Sequence, residues 1–260
     1  MSEGWAIVNG EECPLHAAVL PLSDPACTAG WSVFETLVIR KGDHTGRRRA
    51  HMERLVQSCK GAQIAVPDLV TLNEEIERAR AHVSGEAHVR IMITGGGNRV
   101  ITAQTADMSR LHAPVRAARG AHRDEPFLGG SIKHGSRAPW VVAVLKGGVD
   151  EVLLVDRNAR FTEGTRSSIF AVHDGALWTA PHDDRILRST TALELLEDAE
   201  ALRIPIQREG PPSTGPWDAL YIASTTRHLA PVIELDGELL PGWDPIGRAL
   251  AQYRLERASV

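Results

Sequence analysis

The chain has 260 residues, 43% of them apolar and 24% charged, with a net charge of −4; that is core enough for one large domain or two modest ones, and it excludes a disordered segment or a broad nucleic-acid footprint. No apolar run approaches the roughly 20 residues that span a bilayer, and the opening Met1-Ser2-Glu3-Gly4-Trp5 lacks the basic and apolar regions of a signal peptide. The three cysteines, Cys13, Cys27 and Cys59, form no CxxC pair, which suits a reducing, cytoplasmic setting better than a disulfide framework.

Trp5 to Glu11 reads as a short strand entering a turn at Asn9-Gly10, a pair that takes positive φ at little cost. Val33 to Arg40 is rich in β-formers and stops at Lys41-Gly42-Asp43, which makes a second strand. From Arg49 to Ala62 the period changes, and Met52, Leu55, Val56 and Cys59 fall on one helical face. Val70 to Val83 repeats that signal with Leu72, Ile76 and Ala79. His88 to Thr94 reads as a strand running into Gly95-Gly96-Gly97, expected as a flexible turn, with Val100 to Ala106 as its hairpin partner. Leu111 to Gly130 shows no sustained period, and much of it reads as connector. Strands follow at Glu151–Asp156, Ser168–Val172 and Ala176–Thr179, the last two joined by a His173-Asp174-Gly175 turn. A helix over Thr190–Ala201 has Ser189 as N-cap and Leu193, Leu196 and Leu202 on its buried side. Strands at Ala219–Ser224 and Val232–Leu235 precede a terminal helix from Pro245. The mixture predicts an α+β chain in two domains: a small N-terminal α/β domain over 1–110, a connector over 111–125 and a larger C-terminal domain over 126–260.

One pair of segments points to chemistry. Lys133 lies in Ser131-Ile132-Lys133-His134-Gly135-Ser136-Arg137, and Glu163 lies in Phe161-Thr162-Glu163-Gly164-Thr165, which runs into an apolar strand. An amine followed at this distance by such an acid is what a pyridoxal phosphate site needs. The amine condenses with the cofactor aldehyde, and the acid keeps the pyridine nitrogen protonated so that the ring is an electron sink. Alone, Lys133 would read as a surface lysine.

Further segments fall in the same order: Gly30-Trp31-Ser32-Val33-Phe34-Glu35-Thr36, His51-Met52-Glu53-Arg54-Leu55, Ile186-Leu187-Arg188-Ser189-Thr190-Thr191, and Ala223-Ser224-Thr225-Thr226 before Pro231-Val232. Together with Lys133 and Glu163 they resemble, over nearly the whole chain, the fold-type IV pyridoxal phosphate enzymes, the class IV aminotransferase family. That family holds branched-chain and D-amino-acid aminotransferases and aminodeoxychorismate lyases. The resemblance implies a barrel-like C-terminal domain and a homodimer with the cofactor between the domains. It makes Lys133 the Schiff-base lysine and Glu163 the pyridinium partner. Arg54, Thr190, Thr191 and Thr225 would hold the phosphate, and Phe34, Arg90, Arg137 and Thr226 would face substrate. The physics agrees: a phosphate dianion wants a cation, hydroxyls and the free N–H groups of a helix start. Without the motif, Arg54 would read as a solvated helix arginine, and Thr190 and Thr191 as ordinary capping residues.

The chain also departs from the family pattern. The stretch after Lys133, from Gly135 to Trp140, has no tyrosine. Arg188-Ser189 replaces a Pro-Gly, Ala192 an arginine, and Ser168 an asparagine. Gly95 stands where D-amino-acid aminotransferases carry an arginine, which weighs against that substrate. The short chain and the Lys133-His134-x-x-Arg137 segment tilt the expected reaction to lyase-type release of pyruvate. The alternative is an aminotransferase using branched-chain or other amino acids with a keto-acid acceptor. A catalytically decayed binding protein is the third reading. The substrate expected is a small amino acid or an aminodeoxychorismate-like molecule, with no nucleic acid or membrane partner. No metal is expected: the eleven histidines form no HxxxH or HExxH pair with a third ligand.

Overall fold

The computed structural model describes residues 4–40, 46–122 and 128–257. These form two compact units, one from the described residues of 4–107 with 128–137, the other from 108–122 with 138–257.

In chain order the first unit contains β1 (Trp5–Val8), β2 (Glu11–Pro14), α1 (Pro25–Ala29), β3 (Ser32–Ile39), α2 (Gly46–Gly61), α3 (Leu69–Ala81), β4 (Ala87–Thr94) and β5 (Arg99–Thr105). The strands make an antiparallel sheet in the order β2-β1-β5-β4-β3. Its register pairs Val33 with Ile93 and Leu37 with Val89 on one face. That face packs on Leu55 and Cys59 of α2 and on Leu72, Ile76 and Ala79 of α3. The expected periodic residues of both helices therefore face the core, except Val56, which is only half-buried and lies outside it. Each fully buried Leu or Ile contributes about 1.5–3 kcal/mol. Phe34, Thr36, Arg90 and Met92 pair across β3 and β4 on the opposite face.

The glycine run after β4 is not the flexible turn expected. A Cβ on Gly95 would lie 2.5 Å from the Trp31 ring, and one on Gly96 2.6 Å from Asp24 Oδ2. Only Gly97 has positive φ, at +83°. Two of the three glycines are thus required by close packing. Asp24 seals the turn, accepting hydrogen bonds from Thr94 Oγ1 at 2.8 Å and Ala26 N at 2.7 Å.

Residues 128–137 were expected to open the C-terminal domain, but they cluster with the first unit. The reason is backbone pairing. Phe34 N donates to Lys133 O at 3.0 Å, and Gly135 N donates to Ser32 O at 2.7 Å, so this stretch extends the sheet edge beside β3.

The second unit contains β6 (Val115–Ala121), α4 (Ala138–Gly147), β7 (Glu151–Val155), β8 (Phe161–Gly164), β9 (Ser168–His173), β10 (Ala176–Trp178), α5 (Thr190–Ala201), β11 (Ile206–Gln207), β12 (Ala219–Ser224), β13 (His228–Leu235), β14 (Glu238–Leu239) and α6 (Pro245–Arg257). Six of the strands close on themselves in the order β9-β12-β13-β6-β7-β8, because β8 also pairs with β9. One face of this barrel is filled by Val115, Leu153, Phe161, Ile169, Ile222 and Val232. Phe170, Val172 and Tyr221 on the other face meet α5 and α6. β6 lies inside the stretch expected as connector. Its inward residues include only Val115 and Ala117, and small, arginine-flanked positions leave no readable period. The buried stripe of α5 is Ala192, Leu195, Leu196 and Ala199, whereas Leu193 is only half-buried; small alanines share the face expected for leucines. Among the described residues, no helix is long and apolar enough to cross a membrane.

Candidate active site

In the first unit the site residues are set by α2. His51, Arg54 and Ser58 recur at helical spacing and face β3 and the 128–137 stretch. Arg54 is not the solvated arginine that its isolated sequence suggests, since it is only 7% exposed. Its Nε donates to Glu35 Oε1 at 2.7 Å and its Nη2 to Glu35 Oε2 at 2.8 Å. His51 Nδ1 lies 2.7 Å from the same Oε2. Burial alone would push the Glu35 carboxyl up. The charge and hydrogen bonds of Arg54, the bond to His51 and the charge of Lys133 outweigh it and hold the group down at about 2. Ser58 Oγ accepts from Lys133 N at 3.1 Å, so one helix face braces both the arginine and the lysine.

Two cations lie over the Phe34 ring. Arg90 Cζ lies 3.8 Å from the ring centroid and Lys133 Nζ 4.9 Å from it. Burial, and then the neighbouring charge of Arg137, both push the Arg90 guanidinium below its ordinary value. Among the described residues no hydrogen bond or ion pair engages that guanidinium, so stacking on Phe34 is its main support. Arg137 closes the 128–137 stretch immediately before α4. Phe34, Arg90 and Lys133, which the family resemblance assigns to substrate and chemistry, thus come together within this unit, and the charge of Arg137 acts on Arg90.

In the second unit, register fixes the rest. Glu163 pairs with Ser168, and Ser168 pairs with Ala223. Glu163 and the end of β12 therefore share one rim of the barrel, and Thr225 and Thr226 lie in the turn that follows β12. Glu163 Oε2 accepts from Leu187 N at 3.1 Å, which draws the approach to α5 to the same rim. Thr190 and Thr191 open α5 and are buried, while Ser189 Oγ caps it by accepting from Ala192 N at 3.2 Å. Sequence reading passed over Glu151. It is 3% exposed and accepts from Thr165 Oγ1 and, at 3.2 Å, from Ser167 Oγ, bracing the turn that follows Glu163. A buried acid opening an apolar strand carried no distinguishing signal.

The donor set fits pyridoxal phosphate. A buried guanidinium, threonines at a helix start and a hydroxyl-bearing turn suit a dianion, a carboxylate suits a pyridinium, and a lysine amine suits an aldehyde. Among the described residues no group of His, Cys, Asp and Glu could hold a metal ion.

A closed six-stranded barrel with the acid and the helix start on one rim, joined to a smaller α+β unit that carries the lysine, is the framework of the fold-type IV enzymes. The chain belongs to the class IV amino-transferase family, whose model matches residues 32–235. It is 28% identical to a bifunctional aminodeoxychorismate lyase / D-amino acid transaminase of Mycobacterium tuberculosis, over 94% of this chain and 95% of that one. It is 27% identical to a putative branched-chain-amino-acid aminotransferase of Methanocaldococcus jannaschii, over 90% of this chain and 88% of that one. Among solved structures, the PLP-bound form of a hypothetical aminotransferase from Mycobacterium tuberculosis superposes with a TM-score of 0.85 at 25% identity, covering 96% of each chain.

Proposed function

We propose that this pyridoxal phosphate enzyme acts on an amine bearing two carboxylates, and that its reaction is lyase-type release of pyruvate from an aminodeoxychorismate-like substrate. The observation that carries the reading is the placing of Arg90 and Lys133 over Phe34, with the charge of Arg137 acting on Arg90. Two guanidinium groups brought together raise each other's electrostatic free energy, and an anion relieves it. A carboxylate-rich substrate supplies that anion beside the reactive amine.

When bound, the cofactor supplies an electron sink for the substrate's α-carbon. The protein's own residues do the rest. Arg54, Thr190, Thr191 and Thr225 would hold the phosphate. Glu163 would keep a proton on the ring nitrogen, and its hydrogen bond from Leu187 N fixes the carboxylate. Lys133 Nζ, freed as the amine, would take the α-proton and return it. Arg90 and Arg137 would orient the carboxylates, with Phe34 and Thr226 bounding the substrate. The family likeness supports a homodimer.

Amino transfer is the second reading, and the names of the relatives favour it: the Mycobacterium tuberculosis protein combines lyase and transaminase in one description. The test is to follow pyruvate release from aminodeoxychorismate and, separately, amino transfer from branched-chain and D-amino acids to 2-oxoglutarate. Pyruvate without transfer upholds the lyase. Robust transfer without pyruvate moves the chain to the aminotransferases.

A further inference from the structure

On β3 the residues that face α2 and α3 are Val33, Glu35 and Leu37, and the middle one is a carboxylate with no exposed surface. Both of its oxygens are engaged: Oε1 by Arg54 Nε, Oε2 by Arg54 Nη2 and His51 Nδ1. Taking ions out of water into an apolar layer is expensive, and apolar residues of similar volume commonly serve stability as well or better. Net stability is thus a weak reason for an acid at this position. Geometry gives a stronger one. A guanidinium is planar, and a bidentate acceptor on its Nε–Nη2 edge fixes both the plane and the direction of the whole group. The same helix face continues to Ser58, which holds the backbone of Lys133, so the orientation of Arg54 is registered against the lysine.

We propose that Glu35 is a positioning residue that locks the Arg54 guanidinium in the orientation in which it meets the cofactor phosphate. The proposal rests on the assignment of Arg54 to the phosphate. Glu35 touches neither cofactor nor substrate and acts through Arg54. Its negative charge offsets that of Arg54, so a purely electrostatic account predicts that removing it tightens phosphate binding. The positioning account predicts the reverse.

The test is a double-mutant cycle read by titrating pyridoxal phosphate into apo-protein and following the visible absorbance band. The proteins are wild type, Glu35→Gln, Arg54→Lys and the double variant. Each single change is expected to raise the dissociation constant by about tenfold or more, the scale of a lost charge-assisted contact. The double variant is expected to lie within about threefold of the weaker single one, because Glu35 has nothing to position once Arg54 is gone. A tighter or unchanged constant in Glu35→Gln overturns the proposal, as do single effects that multiply in the double variant. If Glu35→Gln does not fold, Glu35→Asp replaces it in the cycle: it keeps the charge and withdraws the carboxylate by one methylene, and the same outcomes decide. A wild-type protein that binds no cofactor overturns the phosphate assignment and this proposal together. A wild type that binds, with Glu35→Gln unchanged, overturns the proposal alone.

Discussion

A carboxylate buried against cations ties stability to pH. Glu35 titrates near 4.5 in an unfolded chain and at about 2 in the fold, so between those values the unfolded state binds more protons. The contribution of this pair is complete above about pH 5 and is lost as pH falls through the folded value, on the order of 3 kcal/mol in all. Urea midpoints measured near pH 7 and near pH 3 are expected to differ less for Glu35→Gln than for wild type, and an identical difference would show that another carboxylate governs the acid limb. At Lys133 the expectation is covalent: borohydride treatment of the loaded protein leaves a cofactor adduct in wild type and none in Lys133→Ala, read by intact mass, and an adduct mapped to a different lysine would displace the assignment. Arg90→Ala and Arg137→Ala are each expected to raise the Michaelis constant for a dicarboxylate by about tenfold, with a smaller effect on a monocarboxylate amino acid. Equal effects on both would place them outside the second carboxylate's reach. Glu35 itself was not legible as a functional residue. In Val33-Phe34-Glu35-Thr36-Leu37 both faces of the strand are covered, so alternation gives no inward or outward sense, and only the register with β4 and the arginine of α2 reveals which way the acid points.

At the scale of elements, the sequence announced those whose buried stripe is made of large residues on a clean period. α2, α3 and α5 appear within a few residues of where periodicity put them, as do β1, β3, β4 and β5, whereas β2 was not expected. β6 and α4 were invisible for opposite reasons. β6 turns small residues inward, while α4 is apolar almost throughout from Ala138 to Leu145 and so has no face to read. The Gly95-Gly96-Gly97 turn was placed correctly but its physics was misread, since composition suggests freedom where the fold has contact. That difference is testable. A Cβ at Gly95 meets the Trp31 ring, whose indole N–H donates to Ala62 O at 2.8 Å, so that displacing the ring would strain or break that hydrogen bond. Gly95→Ala is expected to destabilise by about 1–3 kcal/mol, the usual cost of overpacking, whereas Gly97→Ala tests only the positive φ. Chemical denaturation of both variants decides. A neutral or stabilised Gly95→Ala would restore the flexible reading.

For the whole molecule, the ordered motifs foretold the family, the barrel and the cofactor, because chemistry constrains residue type at a site more tightly than packing does. They did not foretell that the lysine segment clusters with the N-terminal unit, since that depends on backbone hydrogen bonds from Phe34 and to Ser32 that no side-chain pattern announces. The consequence is that the residues assigned to the cofactor are divided: Lys133 and Arg54 belong to one compact unit, and Glu163, Thr190, Thr191 and Thr225 to the other. A ligand that binds only the native chain stabilises it by mass action, about 2.7 kcal/mol at a free concentration of 100 times its dissociation constant. Removing the cofactor is therefore expected to lower the unfolding midpoint, and adding it back to restore the midpoint in a concentration-dependent way. The division also predicts how the transition changes. If holding the cofactor takes residues of both units, Arg54→Ala in the first and Thr225→Ala in the second each reduce the cofactor-dependent shift of the whole transition, read by calorimetry. A cofactor-dependent shift insensitive to substitution in one of the units would show that the other holds the cofactor alone.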